Sequence, residues 1–433
     1  MADPDTDASL VAHADTIIGS VAKHIRSVRH LQNRRSFVEN SMEADLWRQM
    51  YEGRRKRFNS LANVARKVLV EGRIIRHWQH QANEALVSLT VATESAESPS
   101  PYKVNLEQWD GLDLFRMQEN ATNAYPLTRV FMCAWEARRL SSLSKVRSEK
   151  VIEFTRAIEG NYRDNPYHNR LHAADVTGAT YYLWMRISNR REFNGYFTPV
   201  DLLVALVAAA VHDVGHPGVS NDFLVKTRQV LALRYNDRSV LENYHAATAF
   251  ELMEERKANL LEHTLPSPPV ASLRARVVEM VLATDMAKHK DTLDSLAAEI
   301  GNHEKLQDVD KLILEKNLVH MADIAHPLRP FEIHKEWSRR VTEEFFAQGD
   351  REKALGFHPM ALMDRASAPS LAKGQLGFLN FVVKPTWKQL HLVLGAGGDV
   401  PNSCLQVNST IWESQAAAEA PSTVSRCGSA TSP

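Results

Sequence analysis

The stretch AAAVHDVGHPGVSN, residues 208–221, joins an alanine-rich apolar run to two histidines and an aspartate, and then breaks on Gly-His-Pro-Gly. The apolar run predicts a buried helix, and the break predicts the end of that helix. Polar and charged side chains at the end of a buried helix cost free energy unless a partner compensates them. His212, Asp213 and His216 therefore need a partner from outside this segment.

The composition is that of a globular protein with a sizeable core. The chain has 433 residues, of which 44% are apolar, and its 52 Lys and Arg residues balance its 52 Asp and Glu residues. This balance shows no overall bias toward nucleic acid or membrane surfaces, so we expect no nucleic-acid partner. The apolar run LLVALVAAAV (202–211) is about half the length that crosses a bilayer, so we expect no transmembrane segment.

Cysteine usage and the N-terminus point to a cytoplasmic protein. The three cysteines, Cys133, Cys404 and Cys427, form no CxxC pair, which argues against a disulfide scaffold or a thiolate zinc site. A reducing compartment is the natural expectation. The acidic start MADPDTDASL lacks the basic and apolar regions of a signal peptide.

The chain divides into three predicted parts. Residues 1–100 form a basic helical segment that ends in the linker TESAESPSP (93–101), residues 101–394 form an all-α domain, and residues 395–433 form a disordered tail. The basic segment is open to three interpretations: a solvated helical face, a segment that regulates the protein or pairs two copies as a homodimer, or a patch for acidic lipid or nucleic acid centred on Arg54–Arg57.

Four separated segments carry histidine or aspartate next to apolar runs. They are NPYHNRLHAADV with His168, His172 and Asp175, the opening stretch with His212, Asp213 and His216, VLATDMAKHK with Thr284 and Asp285, and LVHMADIAHP with Asp323. The four-residue spacing predicts that His168 and His172 share one helix face, and that His212 and His216 share another.

Each of these segments alone is more often a surface pair or a satisfied core histidine than a metal site. Together they make sense if they converge on metal ions, because imidazoles with carboxylates suit zinc, and carboxylates with waters suit magnesium or manganese. An aspartate that bridges two ions would hold a hydroxide between them, which is a strong nucleophile at neutral pH. The residues therefore predict a metal-dependent hydrolase acting on phosphoesters.

Five motifs and one short segment, in order, resemble class I cyclic-nucleotide phosphodiesterases over residues 160–390. They are YHNRLHAADV, HDVGHPG, YNDRSVLENYHAATAFELM, VLATDMAKH, EEFFAQGDREKALG and GQLGF. The resemblance implies a compact multi-helix catalytic domain of the HD type. It also implies hydrolysis of 3′,5′-cyclic nucleotides to 5′-monophosphates, which would end cyclic-nucleotide signalling.

The resemblance implies two divalent ions, with Zn²⁺ at the tighter site and Mg²⁺ or Mn²⁺ at the other. The implied ligands of the tighter site are His172, His212, Asp213 and Asp323, with Asp213 as the bridge. The residues implied around the metal waters are His216, Glu242 and Thr284. For Asp285, a role near the ions and a helix cap are equal alternatives.

The resemblance also implies the reacting and recognising groups. His168 matches a general acid, which would protonate the departing ribose 3′-oxygen. At the purine, Gln375 matches a hydrogen-bonding glutamine, Phe378 a stacking ring and Val341 the opposite wall, while Tyr167 lines the pocket. Ordinary helix core is the alternative for Phe378 and Val341.

Two positions depart from the family pattern. Gly215 replaces an acidic residue, for which we expect a local effect on helix termination, and ADIAHP places Ala325 and His326 near the purine. Because a histidine at this position occurs in members of this family with broader specificity, the resemblance implies either cAMP alone or both cAMP and cGMP as substrates. The alternatives are another metal-dependent nucleotide phosphohydrolase and an inactive module that binds cyclic nucleotides.

Overall fold

The fold of the described residues is entirely helical. The computed structural model describes residues 104–119, 125–140, 146–263 and 269–419, which contain fifteen α-helices and no strand. The helices are α1 Leu114–Glu119, α2 Pro126–Ala137, α3 Ser148–Glu159, α4 Arg170–Ser188, α5 Pro199–Val211, α6 Asn221–Lys226, α7 Val230–Arg234, α8 Val240–Glu255, α9 Val270–Leu282, α10 His289–Asn302, α11 Lys311–Asp323, α12 Phe331–Ala354, α13 Leu371–Phe378, α14 Lys384–Leu394 and α15 Asp399–Ala418. The prediction of an all-α fold is confirmed.

Short helical turns connect several of these helices. They are the 3₁₀ turns Arg191–Phe193, Leu260–His263, Met286–Lys288, Leu306–Asp308, His326–Leu328, Ala361–Met363 and Gly395–Gly398, and the π-helical segment Leu379–Val383.

Helix α5 is the buried helix that the opening stretch predicts. Thr198 caps its first turn in a reciprocal capping box with Asp201, and Pro199 occupies the first helical position, where a missing N–H costs nothing. Every residue from Val200 to Val211 is buried. The helix packs against α4 and α9, which places its C-terminal end inside the domain.

A partly buried ion network fixes α5 to α9 and α11 at the end remote from His212. Arg276 of α9 donates from Nη2 to Asp201 Oδ1 at 2.8 Å and from Nε to Glu315 Oε2 of α11 at 3.1 Å. Lys311 Nζ donates to Asp201 Oδ2 at 3.0 Å. Because an α-helix rises about 1.5 Å per residue, this network holds the three helices together about 16 Å along α5 from the end that carries His212.

The prediction of a disordered tail is wrong for residues 395–418. Helix α15 is ordered because its apparently low-complexity sequence contains a buried stripe at helical spacing, made of Leu405, Asn408, Ser409 and Trp412. Asn408 Nδ2 donates to the carbonyl oxygens of Pro327 at 2.7 Å and Arg329 at 2.8 Å, which fastens α15 to the turn between α11 and α12. The domain therefore extends beyond residue 394.

The predictions for residues 1–100 and 420–433 lie outside the described residues and stay predictions. Among the helices of the described part, none is long and apolar enough to cross a membrane.

Candidate functional site

The ends of three long helices bring together the four predicted metal ligands. His172 lies in the first turn of α4, which Asn169 caps by accepting from the next turn. His212 and Asp213 follow the last residue of α5, and Asp323 is the last residue of α11. The nitrogen and oxygen atoms of His172, His212, Asp213 and Asp323 that could bind a metal all lie within 4.8 Å of one another. We call this set the metal end of the site.

The spacing of these four atoms fits a single metal ion. His212 Nε2 lies 3.3 Å from His172 Nε2, 3.2 Å from Asp213 Oδ2 and 3.3 Å from Asp323 Oδ1. His172 Nε2 lies 2.9 Å from Asp323 Oδ1 and 3.6 Å from Asp213 Oδ2. Tetrahedral ligands about 2.0–2.1 Å from a zinc ion lie about 3.3–3.4 Å from one another. The four side chains therefore already outline a coordination shell.

Hydrogen bonding and charge prepare the same atoms for a cation. His212 Nδ1 donates to the carbonyl oxygen of Ala209 at 2.8 Å, so in the neutral ring the lone pair is on Nε2, which faces the other ligands. Burial would raise the pKa of Asp213, but His212 and His168 hold it well below its usual value. Asp213 is therefore an ionised carboxylate in a buried site.

The two oxygens of Asp213 face different neighbours. Oδ2 lies at the metal end, whereas Oδ1 lies 3.6 Å from His245 Nε2. His245 donates from Nδ1 to the carbonyl oxygen of Val214 at 2.8 Å, so its Nε2 carries a lone pair, and this buried atom has no hydrogen-bond partner among the described residues. Two acceptors that face each other fit a cation or a water between them. Sequence analysis missed His245, although it lies in one of the quoted motifs.

The predicted helical spacing of His212 and His216 is wrong, because α5 ends before His212. Gly215 adopts a φ of +78°, which favours glycine and turns the chain away from the helix. A Cβ atom at Gly215 would lie 2.8 Å from Tyr244 Oη, so an acidic side chain would also collide there. The position therefore favours glycine, both for its positive φ and for the close approach of the Tyr244 ring. The expected effect of Gly215 on helix termination thus has a structural cause.

His168 also lies outside the helix that its spacing predicts, because α4 begins at Arg170. It is held by Glu344 of α12, a residue that sequence analysis missed: His168 Nδ1 lies 2.5 Å from Glu344 Oε1. The other carboxylate oxygen accepts the backbone N–H groups of Tyr167 at 2.8 Å and His168 at 3.0 Å. The ring stacks on His216 with centroids 4.0 Å apart.

The charges near His168 favour its protonated form. Burial alone would lower the pKa of His168, but the nearby carboxylates of Glu344 and Asp213 outweigh it and raise the pKa to about 9. The pKa of Glu344 falls to about 2 because His168 outweighs the effect of burial. The pair is therefore an imidazolium and a carboxylate. Because Glu344 engages Nδ1 of His168, the second proton of the imidazolium is on Nε2.

Three other residues of the predicted set form local contacts. Glu242 Oε2 accepts from Asn221 Nδ2 at 3.0 Å, and burial raises its pKa to about 7. The Thr284 hydroxyl, two residues beyond the end of α9, donates to the carbonyl oxygen of Val281 at 2.8 Å. Asp285 caps the turn Met286–Lys288, which favours the capping alternative. The predicted roles of Glu242 and Thr284 near metal waters stay predictions.

Asp175, which follows His172 by three residues, does not join the ligand set. It pairs with Arg329 at 2.7 Å, and both side chains are buried. This ion pair links α4 to the turn between α11 and α12, so its role is structural.

Of the residues predicted to contact a purine, the rings of Tyr167, His326 and Phe378 lie near one another. His326 stacks on Phe378 with ring centroids 5.9 Å apart and an angle of 16° between planes, and its centroid lies 6.0 Å from that of Tyr167. Gln375 is buried, and its Oε1 has no hydrogen-bond partner among the described residues. Val341 lies one turn before Glu344 on α12 and is half-buried. We call His326, Gln375 and Phe378 the purine end.

Comparison with known proteins identifies the family. Residues 167–402 match the 3′5′-cyclic nucleotide phosphodiesterase family. The structure resembles the phosphodiesterase domain of a rhodopsin–phosphodiesterase fusion protein from the choanoflagellate Salpingoeca rosetta, with a TM-score of 0.65 and 31% identity, covering 72% of this chain and 96% of that domain. The chain therefore belongs to the 3′5′-cyclic nucleotide phosphodiesterase family, which confirms the resemblance.

Curated proteins with similar sequences are named as 3′,5′-cyclic-AMP phosphodiesterases. A 3′,5′-cyclic-AMP phosphodiesterase 4C from Rattus norvegicus is 35% identical over 314 residues, which are 70% of this chain and 57% of that protein. A 3′,5′-cyclic-AMP phosphodiesterase, isoform F, from Drosophila melanogaster is 35% identical over 325 residues, which are 73% of this chain and 48% of that protein. The chain spans about half the length of the curated relatives it matches.

Proposed function

We propose that this chain hydrolyses 3′,5′-cyclic AMP to 5′-AMP. The observation that carries the proposal is the metal end, preformed next to the His168–Glu344 pair. Relatives named as cyclic-AMP phosphodiesterases support the choice of substrate. Hydrolysis of cGMP stays a prediction, supported by the histidine at position 326.

The metal end would hold one divalent cation through two imidazoles and two carboxylates, a donor set that suits Zn²⁺. A second ion, Mg²⁺ or Mn²⁺, would share Asp213, because the Oδ1 atom of Asp213 faces away from the first position toward His245. When bound, such ions supply an activated water and offset the negative charge of the phosphate.

The chain's own contribution to bond cleavage comes from His168. Hydrolysis joins a water oxygen to phosphorus and breaks the bond from phosphorus to the ribose 3′-oxygen, which departs as a poor leaving group unless it gains a proton. His168 Nε2 carries that proton, because Nδ1 is held by Glu344 and the carboxylate favours the charged ring. Glu344 also fixes the ring orientation through two backbone N–H groups.

The purine end would orient the base. The buried, unpartnered Oε1 of Gln375 can accept a hydrogen bond from an exocyclic amino group, and the Phe378 ring offers a flat apolar face. Stacking of a base on an aromatic side chain contributes about 1–3 kcal/mol in single-stranded nucleic-acid sites. Val341 would close the opposite side of the pocket.

The basic segment 1–100 would act on this domain as a regulatory or dimerising element, which its clustered charges support. Three cysteines without a CxxC pair support a reducing, cytoplasmic location. Deleting residues 1–100 tests whether this segment regulates or dimerises the protein. Unchanged turnover together with an unchanged oligomeric state would reject both roles.

The function is tested by assaying metal-stripped and metal-reloaded full-length protein side by side with cAMP and cGMP, while 5′-monophosphate formation is followed. We expect stripped protein to be inactive and zinc with magnesium to restore turnover of cAMP. Folded, metal-loaded protein that hydrolyses neither nucleotide would reject the proposal. The ratio of the two kcat/KM values then decides the prediction for cGMP.

A further inference from the structure

A chain of hydrogen bonds runs from the C-terminal helix to the purine end. The indole Nε1 of Trp412, on α15, lies 2.7 Å from His334 Nε2. On the other edge of the same ring, His334 Nδ1 lies 3.0 Å from His326 Nδ1. Trp412, His334 and His326 are 1%, 0% and 5% exposed, so water does not compete for these bonds.

The chemistry of these groups allows one direction of donation. An indole N–H can only donate, so His334 Nε2 must carry a lone pair, and the proton of His334 is on Nδ1. His334 Nδ1 therefore donates to His326 Nδ1, which must carry a lone pair in turn. The one remaining place for the proton of His326 is Nε2.

Ser338 agrees with this direction. Its hydroxyl donates to the carbonyl oxygen of His334 at 2.8 Å, which turns its lone pairs toward His334 Nδ1 at 3.3 Å. A second acceptor thus faces the proton on His334 Nδ1. Burial also lowers the pKa of His334 to about 3 and lowers the pKa of His326 well below its usual value, so both rings are neutral.

The chain of hydrogen bonds leaves one nitrogen of His326, Nε2, without an assigned partner. No described residue forms a hydrogen bond with His326 Nε2, while the ring itself stacks on Phe378 and lies near Tyr167. When no hydrogen bond selects its tautomer, a neutral histidine can present either a donor or an acceptor at a given ring nitrogen, since the two tautomers are close in energy. In this protein the hydrogen bonds from Trp412 to His334 and from His334 to His326 determine which nitrogen of His326 carries the proton.

We propose that Trp412 and His334 are positioning residues that fix His326 as the Nε2–H tautomer, so that the pocket offers a hydrogen-bond donor to an acceptor nitrogen of the purine ring. The identity of the purine ligand rests on the proposed function, and the position of the proton rests on the chain of hydrogen bonds. It gives helix α15 a part in substrate selection.

The test compares two tryptophan variants. Trp412→Phe removes the donor and keeps an aromatic ring, which frees His334 and His326 to exchange tautomers. Trp387→Phe is the matched control, because Trp387 Nε1 also bonds to α15, at Asn402 Oδ1 and 3.1 Å, without a link to His326. Each protein is assayed with cAMP and with its 1-deaza and 7-deaza analogues, in which one ring nitrogen becomes C–H.

We expect wild type and Trp387→Phe to lose about 2- to 10-fold in kcat/KM on one deaza analogue, the range of one neutral hydrogen bond. Trp412→Phe should reduce or remove that penalty. Equal rates on all three nucleotides in wild type, or a penalty that Trp412→Phe leaves unchanged, would overturn the proposal.

A spectroscopic measurement tests the same idea independently of turnover. The ¹⁵N chemical shifts of histidine rings separate a protonated nitrogen from one with a lone pair, and a His326→Gln variant assigns the signal. We expect proton-bearing Nε2 in wild type and a mixture of tautomers in Trp412→Phe. A proton on His326 Nδ1 in wild type would contradict the proposal, whereas absence of cAMP hydrolysis would reject only the function.

Discussion

The metal end and the purine end of the site are built in different ways. At the metal end, His172, His212 and Asp323 are supplied by the ends of three long helices, and each of them lies in a short motif next to an apolar run, although His172 meets His212 across 40 residues and Asp323 across 151. At the purine end, His326 depends on His334 and on Trp412, which lies 78 residues beyond His334. Short local motifs therefore mark the candidate residues of the metal end, whereas the partners of His326 depend on how α15 packs.

This difference predicts unequal sensitivity to mutation. Changes at the metal end remove a charge that neighbouring groups cannot replace, whereas changes at the purine end remove one contact among several.

The largest effect is expected from Asp213→Asn, which removes the charge shared by both proposed metal positions. Turnover should fall about 10³-fold or more, because stabilisation by metal ions is worth several kcal/mol and each 1.36 kcal/mol is tenfold in rate. Bound zinc, measured by elemental analysis, should fall with it. Asp285→Asn, a change in a buried capping carboxylate, should keep its metal, and full metal occupancy in Asp213→Asn would contradict the ligand assignment.

His168→Ala should keep the metals and the fold but slow the chemical step by about 10²- to 10⁴-fold, the usual range for general acid–base groups. Glu344→Gln keeps an acceptor for Nδ1 but removes the charge, so a loss of about 10- to 100-fold is expected by analogy with carboxylate partners of ligand histidines. Elemental analysis and kcat measurements separate the two roles. Loss of metal in His168→Ala would show that this histidine is a ligand.

The smallest effect is expected from Gln375→Ala. It removes one hydrogen bond to the base, so kcat/KM should fall about 5- to 100-fold, mainly through KM. The exposed Lys373 lies on the same helix α13, and Lys373→Ala is the matched control that should leave KM unchanged. A fall in kcat with an unaltered KM would move Gln375 from base recognition to the reaction itself.

Residues that are close in sequence account for most of what could be predicted. The four proposed ligands are each next to an apolar run, so their placement at buried helix ends follows from periodicity and helix-stop signals. The exact local geometry did not follow, because a four-residue spacing says nothing about where a helix begins or ends. Asn169 starts α4 after His168, and Gly215 at φ +78° turns the chain before His216.

In the C-terminal tail, composition predicts disorder where the structure has helix α15. Its Ser, Ala and Thr content is typical of disorder, but Leu405, Asn408, Ser409 and Trp412 share one face of a helix, and that face is buried because α15 packs against α12, α13 and the turn after α11. A composition average cannot detect a stripe of four residues.

The sequence by itself determined the helical class, the family and the set of proposed metal ligands, because these depend on periodicity and on motifs within short segments. Only the tertiary structure decided that Glu344 holds His168 across 176 residues and that Trp412 sets the proton of His326. Hydrogen-bond direction depends on which donor meets which acceptor after packing, and the spacing of residues along a chain does not contain that information.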